Sequence, residues 1–267
     1  MPELPEVETV KRTLELKILN LKIKKVDVYY ENIMPDGKKI NLEGEVITAL
    51  ERVGKFLIFK LTNYVIVSHM RMEGRFFLKD EFEPKSKHEH VKITFTNGIS
   101  LRYVDTRKFG RLLIKNHHDY LNTPPLSEVA KEPHQIDPKE FHQLLSRRSR
   151  PIKPTLLDQK IISGLGNIYV DETLFMARVL PTRESKDVTL DETKKILKAA
   201  TDVLAKATKL GGTTIYTYES SEGVSGRFQN ELLVHTKEGK PCPVCGTKIE
   251  KIKVGGRGTY VCFKCQK

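Results

Sequence analysis

No stretch of about 18 consecutive apolar residues occurs in the 267-residue chain, so nothing in it reads as a membrane-spanning helix. Cysteine is scarce: there are four, and none precedes position 242. A disulfide framework is therefore excluded for most of the chain. At this length, one large domain or two ordinary ones, a hydrophobic core suffices without it. Neither an internal repeat nor a low-complexity tract is present. Acidic residues are in deficit, 34 against 46 Lys and Arg, which leaves a net charge of +12 and a pI near 9.4. With 39% hydrophobic and 30% charged residues the composition is that of a globular protein, not a disordered chain. The cation excess is compatible with a polyanionic partner, but charge alone does not separate nucleic-acid binding from a generally basic surface. Residues 1–10 carry three Glu before the first Lys, the wrong sign for a signal or transit peptide. The expected location is the cytoplasm, with nucleoid association if the charge is used on DNA.

The pattern of what is present divides the chain. Pro5 can occupy a first helical position, Glu6 and Glu8 suit a first turn, and Val7, Val10, Leu14 and Ile18 recur at helical spacing. From about Leu21 to Lys115 short β-rich runs follow: Lys55–Leu61, Tyr64–Met70, Val91–Thr96 and Ile99–Val104, the last two flanking the turn dipeptide Asn97-Gly98. Residues 116–135 are polar, contain Pro124, Pro125 and Pro133, and read as a linker. Helices come next, with start signals at Asp137-Pro138-Lys139-Glu140 and Thr189-Leu190-Asp191-Glu192, and a stop at Gly211-Gly212. The expected organisation is a domain over 1–115, the linker, a helical domain over 136–235 and a metal-binding tail over 236–267.

Three segments carry chemistry. Cys242-Pro-Val-Cys245 and Cys262-Phe-Lys-Cys265 are two knuckles separated by 16 residues, a spacing that suits one tetrahedral Zn²⁺. Four thiolates leave no open position, so such a zinc is structural; reducible CxxC pairs are the weaker alternative. Ser163-Gly164-Leu165-Gly166-Asn167 lies between two apolar helical stretches, Pro154–Ile162 and Ile168–Met176, with Asn167 placed as N-cap of the second. It reads either as a phosphate site at a helix N-terminus or as an ordinary helical hairpin. The basic run Arg147 to Lys153 upstream favours the former. Finally, removal of Met1 would leave Pro2 as a free secondary amine beside Glu3, able to attack an aldehydic carbon, with Glu3 and Glu6 available for proton transfer. Taken alone, acids in a first helical turn equally serve the helix dipole.

Together these segments resemble the formamidopyrimidine-DNA glycosylases, bacterial base-excision repair enzymes for oxidised purines. The resemblance is carried by Met-Pro-Glu-Leu-Pro-Glu-Val-Glu-Thr-Val at the start, by Leu157-Asp-Gln-Lys-Ile-Ile-Ser-Gly-Leu-Gly-Asn-Ile-Tyr-Val-Asp-Glu172 and by the cysteine tail from Gly239, and so spans the chain. It implies an α+β fold: an N-terminal helix on a β-sandwich, then a helix-two-turn-helix domain with a zinc-ribbon hairpin, and a basic cleft for double-stranded DNA. It further implies a bifunctional glycosylase and AP lyase. Pro2 would be the nucleophile and Glu3 the proton donor, with Lys55 assisting β-elimination, Arg257 assisting δ-elimination, and Glu6 a secondary candidate. Met72, Arg107 and Phe109 match residues that fill the space of an everted base, and His88, Arg148, Lys153 and Asn167 match DNA contacts. The implied substrates are 8-oxoguanine opposite cytosine and formamidopyrimidines. The implied state is a monomer with one structural Zn²⁺ and no catalytic metal or organic cofactor.

The chain departs from the family at Tyr216, where many relatives have Arg. The loop 219–226, which corresponds to the segment that closes over an everted lesion, is variable in the family. The endonuclease VIII branch, specific for oxidised pyrimidines, more often begins Pro-Glu-Gly-Pro-Glu; Leu4 here sides with the purine branch. A non-catalytic zinc-ribbon DNA-binding protein would account for the charge and cysteines but not for Pro2-Glu3 and Lys55.

Overall fold

The structure is a computed structural model that describes residues 2–213 and 226–267. Tyr216 and residues 219–225 of the lesion-loop expectation lie outside the described residues. Two compact units form, one from residues 1–127 with 211–226, the other from 128–210 with 227–267. No helix among the described residues is long and apolar enough to cross a membrane.

In the first unit, α1 (Leu4–Ile18) starts one residue earlier than Pro5 predicts. Glu3 is its N-cap and Pro5 takes the second position, where the missing N–H is still no loss. Val7, Val10, Leu14 and Ile18 are fully buried, each stabilising the fold by about 1.5–3 kcal/mol relative to exposure. Helix α1 lies against the second and third of eight strands. These are β1 (Ile23–Val28), β2 (Ile47–Val53), β3 (Phe56–Leu61), β4 (Tyr64–His69), β5 (Arg75–Asp80), β6 (Glu89–Phe95), β7 (Ile99–Val104) and β8 (Arg111–Asn116). They form two antiparallel four-stranded sheets, ordered β1-β6-β7-β5 and β2-β3-β4-β8. Leu57, Phe59, Leu61 and Ile66 point into the sandwich with the α1 residues. Their alternate neighbours Ile58, Val65 and Val67 point outwards yet are buried too, because Tyr120 and Leu126 cover that face. The predicted linker therefore needs correcting. Its first part, to Ser127, is packed on the sheet, and the change of unit falls at Glu128.

The second unit comprises α2 (Pro138–Leu145), α3 (Ile152–Leu156), α4 (Asn167–Ala177), α5 (Leu190–Lys209) and a hairpin of β9 (Glu250–Val254) and β10 (Arg257–Val261). Both predicted start signals cap helices. Asp137 accepts from Lys139 N and Glu140 N, and Thr189 with Glu192 forms a reciprocal capping box. The apolar stretch 154–162 is helical only to Leu156. Asp158 folds the chain back, its side chain accepting from Lys160 N and its carbonyl from Ile161 N and Ile162 N. Gln159 then braces the turn, donating to Leu157 O and Leu165 O and accepting from Gly164 N. The cysteine tail is no independent body: Cys242, Cys262 and Ile249 share one apolar cluster with Phe175 of α4 and Val234.

Candidate functional site

The first unit gathers most of the predicted catalytic residues around the start of α1. Pro2 and Glu3 are buried there, so the chain's amino end is drawn into the fold beside the positive end of a helix dipole. Glu6 is buried as well, and its carboxylate accepts from Glu3 N at 2.9 Å, Thr213 N at 2.8 Å and Thr213 Oγ1 at 3.2 Å. These donors make Glu6 the clamp that fixes Glu3 and anchors the chain at Thr213. Gly212, at φ +77°, leaves no room for a Cβ against the same carboxylate.

Lys55 sits at the β2–β3 turn and is buried, at 5% exposure. Arg52 holds this turn to α1: Nε meets Glu8 Oε2 at 2.9 Å, and Nη1 donates to Gly54 O at 2.9 Å. Burial opposes ionisation of Glu8, but Arg52, Arg12 and Lys11 outweigh it and hold the carboxyl below its ordinary range. Helix α1 and the lysine turn are thereby tied by the Glu8–Arg52 ion pair.

Beside Lys55 lies His69, which the sequence reading did not single out. Its Nδ1 accepts from Arg71 N at 3.0 Å, and its ring meets Phe56 edge-on with centroids 4.6 Å apart. Burial, then the charges of Arg71 and Lys55, push its pKa down to about 3. A histidine whose folded value lies below its ordinary 6.5 contributes stability that is complete above about pH 6.5 and is lost as pH falls towards 3. Urea unfolding should therefore show His69→Gln with a flatter fall in stability than wild type between pH 6.5 and 4, the difference approaching about 1.4 kcal/mol per pH unit. Parallel curves for the two proteins would refute the assignment.

Met72 and the pair Arg107 and Phe109 occupy two connections that pass between the sheets, β4 to β5 and β7 to β8. Phe109 is 49% exposed and Met72 half-buried, so neither is a core residue on a strand. The Arg107 guanidinium lies 4.7 Å from the centre of the Phe109 ring. Buried Asp105 shapes this connection, accepting from Arg107 N at 2.9 Å and Gly110 N at 2.8 Å, and Glu73 hydrogen-bonds Thr106, joining the two connections. Of the two candidate histidines, His90 is buried with Nε2 2.8 Å from Asp105 O, whereas His88 is partly exposed. The structure leaves His88 as the one able to meet a ligand.

In the second unit, Gly166 and not Asn167 is the N-cap of α4; Asn167 is the first helical residue. Its Nδ2 donates to Gly258 O at 3.1 Å, and its buried Oδ1 has no partner. Arg257, exposed at the start of β10, is thus held one residue from the α4 N-terminus, a constellation suited to a phosphate. Gly255 packs so closely on Pro154 that a Cβ would collide with it. Arg148 is half-buried and donates to Leu144 O at 2.7 Å.

Lys153 corrects the sequence reading. It is fully buried, with Nζ donating to Asp171 Oδ1 at 2.8 Å, Thr259 Oγ1 at 2.8 Å and Gly258 O at 3.0 Å. All three ammonium donors are used inside the protein, so Lys153 positions the hairpin instead of touching DNA. Asp171 also meets His235 Nδ1 at 2.8 Å, while Glu172 accepts from the backbone of Leu233, Val234 and His235. Lys153→Met takes the ammonium partner from the buried Asp171 carboxylate, leaving it His235 alone among side chains, and should cost about 3–5 kcal/mol in urea unfolding. A loss below about 1 kcal/mol would contradict the structural role.

The four cysteine sulfurs lie within 4.8 Å of one another, with Cys242–Cys265 at 3.8 Å and Cys245–Cys262 at 3.5 Å. A tetrahedron with Zn–S bonds near 2.3 Å has edges of about 3.8 Å, so the donor set fits one structural zinc.

Comparison with known proteins agrees with this geometry. The family models for the formamidopyrimidine-DNA glycosylase N-terminal domain, its H2TH domain, and the zinc finger found in FPG and IleRS match residues 1–112, 129–219 and 239–267. Formamidopyrimidine-DNA glycosylases of Bacillus cereus and of Mycoplasma mobile are each 47% identical, over all of this chain and 99% of theirs. A crystal structure of a Lactococcus lactis FPG mutant with a Fapy-dG-containing DNA superposes with a TM-score of 0.94 at 39% identity, covering both chains completely. The Lactococcus lactis Fpg complex with an abasic-site DNA gives 0.93 at 38%, again over the whole of both chains. Fold and site together define a zinc-finger DNA glycosylase that acts on damaged DNA. The chain belongs to the formamidopyrimidine-DNA glycosylase family.

Proposed function

We propose that the protein is a bifunctional DNA glycosylase and AP lyase that removes 8-oxoguanine opposite cytosine, and formamidopyrimidines, from double-stranded DNA. It acts as a monomer in the bacterial cytoplasm. The observation that carries the reading is the burial of Pro2 and Glu3 at the start of α1. That burial draws the proline nitrogen, a free secondary amine once Met1 is removed, into the fold beside Glu3.

The amine attacks C1′ of the damaged nucleotide, and the base departs with the bonding electrons and takes up the proton that the amine gives off. Glu3 delivers a proton to the sugar ring oxygen as its bond to C1′ opens, leaving an iminium between Pro2 and C1′. Loss of a C2′ proton, assisted by Lys55, expels the 3′ phosphate. A second elimination, with Arg257 on the departing phosphate, expels the 5′ phosphate; water then hydrolyses the adduct. Met72 and Phe109 replace the stacking of the everted base and Arg107 meets the orphaned cytosine. His88, Arg148, Asn167 and Arg257 serve as backbone contacts, since they remain accessible.

Borohydride trapping on duplexes carrying 8-oxoguanine opposite cytosine or dihydrouracil tests this. A Pro2 adduct strongest with 8-oxoguanine is expected. Preference for dihydrouracil would move the substrate to oxidised pyrimidines. No adduct on either, with Met1 removed and zinc bound, would reduce the protein to a DNA-binding module.

A further inference from the structure

A cavity of about 310 Å³ lies on the first unit, on the outer face of the β2-β3-β4-β8 sheet beside the segment that covers it. Its apolar walls are Phe56 and Leu113 from the sheet and Pro124 and Pro125 from the covering segment; Arg71 and Arg111 supply its cationic side, with His69 among the lining residues. Inward-drawn arginines elsewhere in the unit have carboxylate partners: Arg52 has Glu8 and Arg102 has Glu89. Arg71, which is exposed, and Arg111, which is half-buried, have none among the described residues and are open to a ligand. Arg111 is nevertheless fixed, Nη1 donating to Gly110 O at 2.7 Å, which leaves Nε and Nη2 for a ligand. His69 brings no compensating charge, since its Nδ1 accepts from Arg71 N.

The two halves of the cavity restrict what fits. A bare inorganic anion would leave the apolar walls in contact with water, and an apolar molecule would make no use of the two guanidinium groups. A planar ring carrying a phosphate satisfies both, because proline and phenylalanine side chains stack on a ring face while guanidinium forks match phosphate oxygens. The volume lies at the small end of ligand sites, the scale of one nucleotide. We infer that this cavity is a nucleotide pocket, the base resting on Phe56, Pro124 and Pro125 and the phosphate held by Arg71 and Arg111. The inference does not depend on the proline chemistry.

Two sources offer this group: a free nucleotide, and a nucleotide at a broken strand end. Calorimetry with dGMP, deoxyguanosine and inorganic phosphate, and with intact and one-nucleotide-gapped duplexes, separates them. For a free nucleotide, dGMP binds at least tenfold more tightly than either fragment, and Arg71→Gln/Arg111→Gln removes that advantage. For a strand end, dGMP does not bind, but the gapped duplex is preferred over the intact one and the double variant loses the preference. Leu113→Trp, which fills the apolar half and leaves both arginines in place, should act in the same direction. If neither dGMP nor the gapped-duplex preference responds to these variants, the pocket assignment is overturned.

Discussion

Pro2→Gly is expected to slow excision of 8-oxoguanine by at least about 10²-fold while leaving the melting temperature within a few degrees of wild type. The iminium formed by a secondary amine has no N–H to lose and stays cationic at any pH. Glycine gives a primary amine whose imine must hold an extra proton to do the same work. Glycine also frees a backbone that Pro2 fixes immediately before the Glu3 cap. Single-turnover excision, with intact mass to establish that Met1 has been removed, reads the effect. An unimpaired rate would show that another group attacks C1′.

Removal of zinc should have the largest effect on folding. Apparent binding energies of structural zinc are about 10–16 kcal/mol in zinc-finger peptides, and that energy is folding energy. Losing it disperses the cluster of Cys242, Cys262, Ile249, Val234 and Phe175. It also withdraws Gly258 O from Asn167, and Gly258 O and Thr259 from Lys153. Chelation or Cys262→Ser should therefore abolish DNA binding and destabilise α4, not merely loosen the tail. Because the chain lacks tryptophan, circular dichroism with zinc titration is the suitable readout. Unchanged duplex affinity in zinc-free protein would contradict this coupling.

Patterns of local physics were legible in the sequence. The Thr189–Glu192 box, the Asn97-Gly98 turn, the apolar stripe of α1 and the two cysteine knuckles each announce their structure through neighbours in the chain. What was not legible depends on groups that meet from a distance. Lys153 sits in a run of cations and reads as surface; only folding brings Asp171 and the Gly258–Thr259 backbone onto its ammonium group. His69 ends an apolar strand with no periodicity to mark it, and its proximity to Lys55 is a tertiary fact. Tyr120 and Leu126 stand in a polar, proline-bearing stretch, where a few scattered apolar residues do not reveal which of them cover a sheet. Asn167 lost the cap to Gly166, whose extended backbone serves the same end without a side chain.

Residues 211–226 belong to the first unit although the chain on either side of them belongs to the second, where Arg227 N is bonded to Leu210 O at 3.0 Å. The first unit is accordingly discontinuous in the gene. During synthesis Glu6 emerges among the first residues, but the donors from Thr213 arrive only after α2 to α5 have been made. A fragment ending at Ser127 would hold every strand of the sandwich and still lack the residue that meets Glu6 at the start of α1. The boundary at which the chain could be cut into two working pieces thus does not exist as a single position.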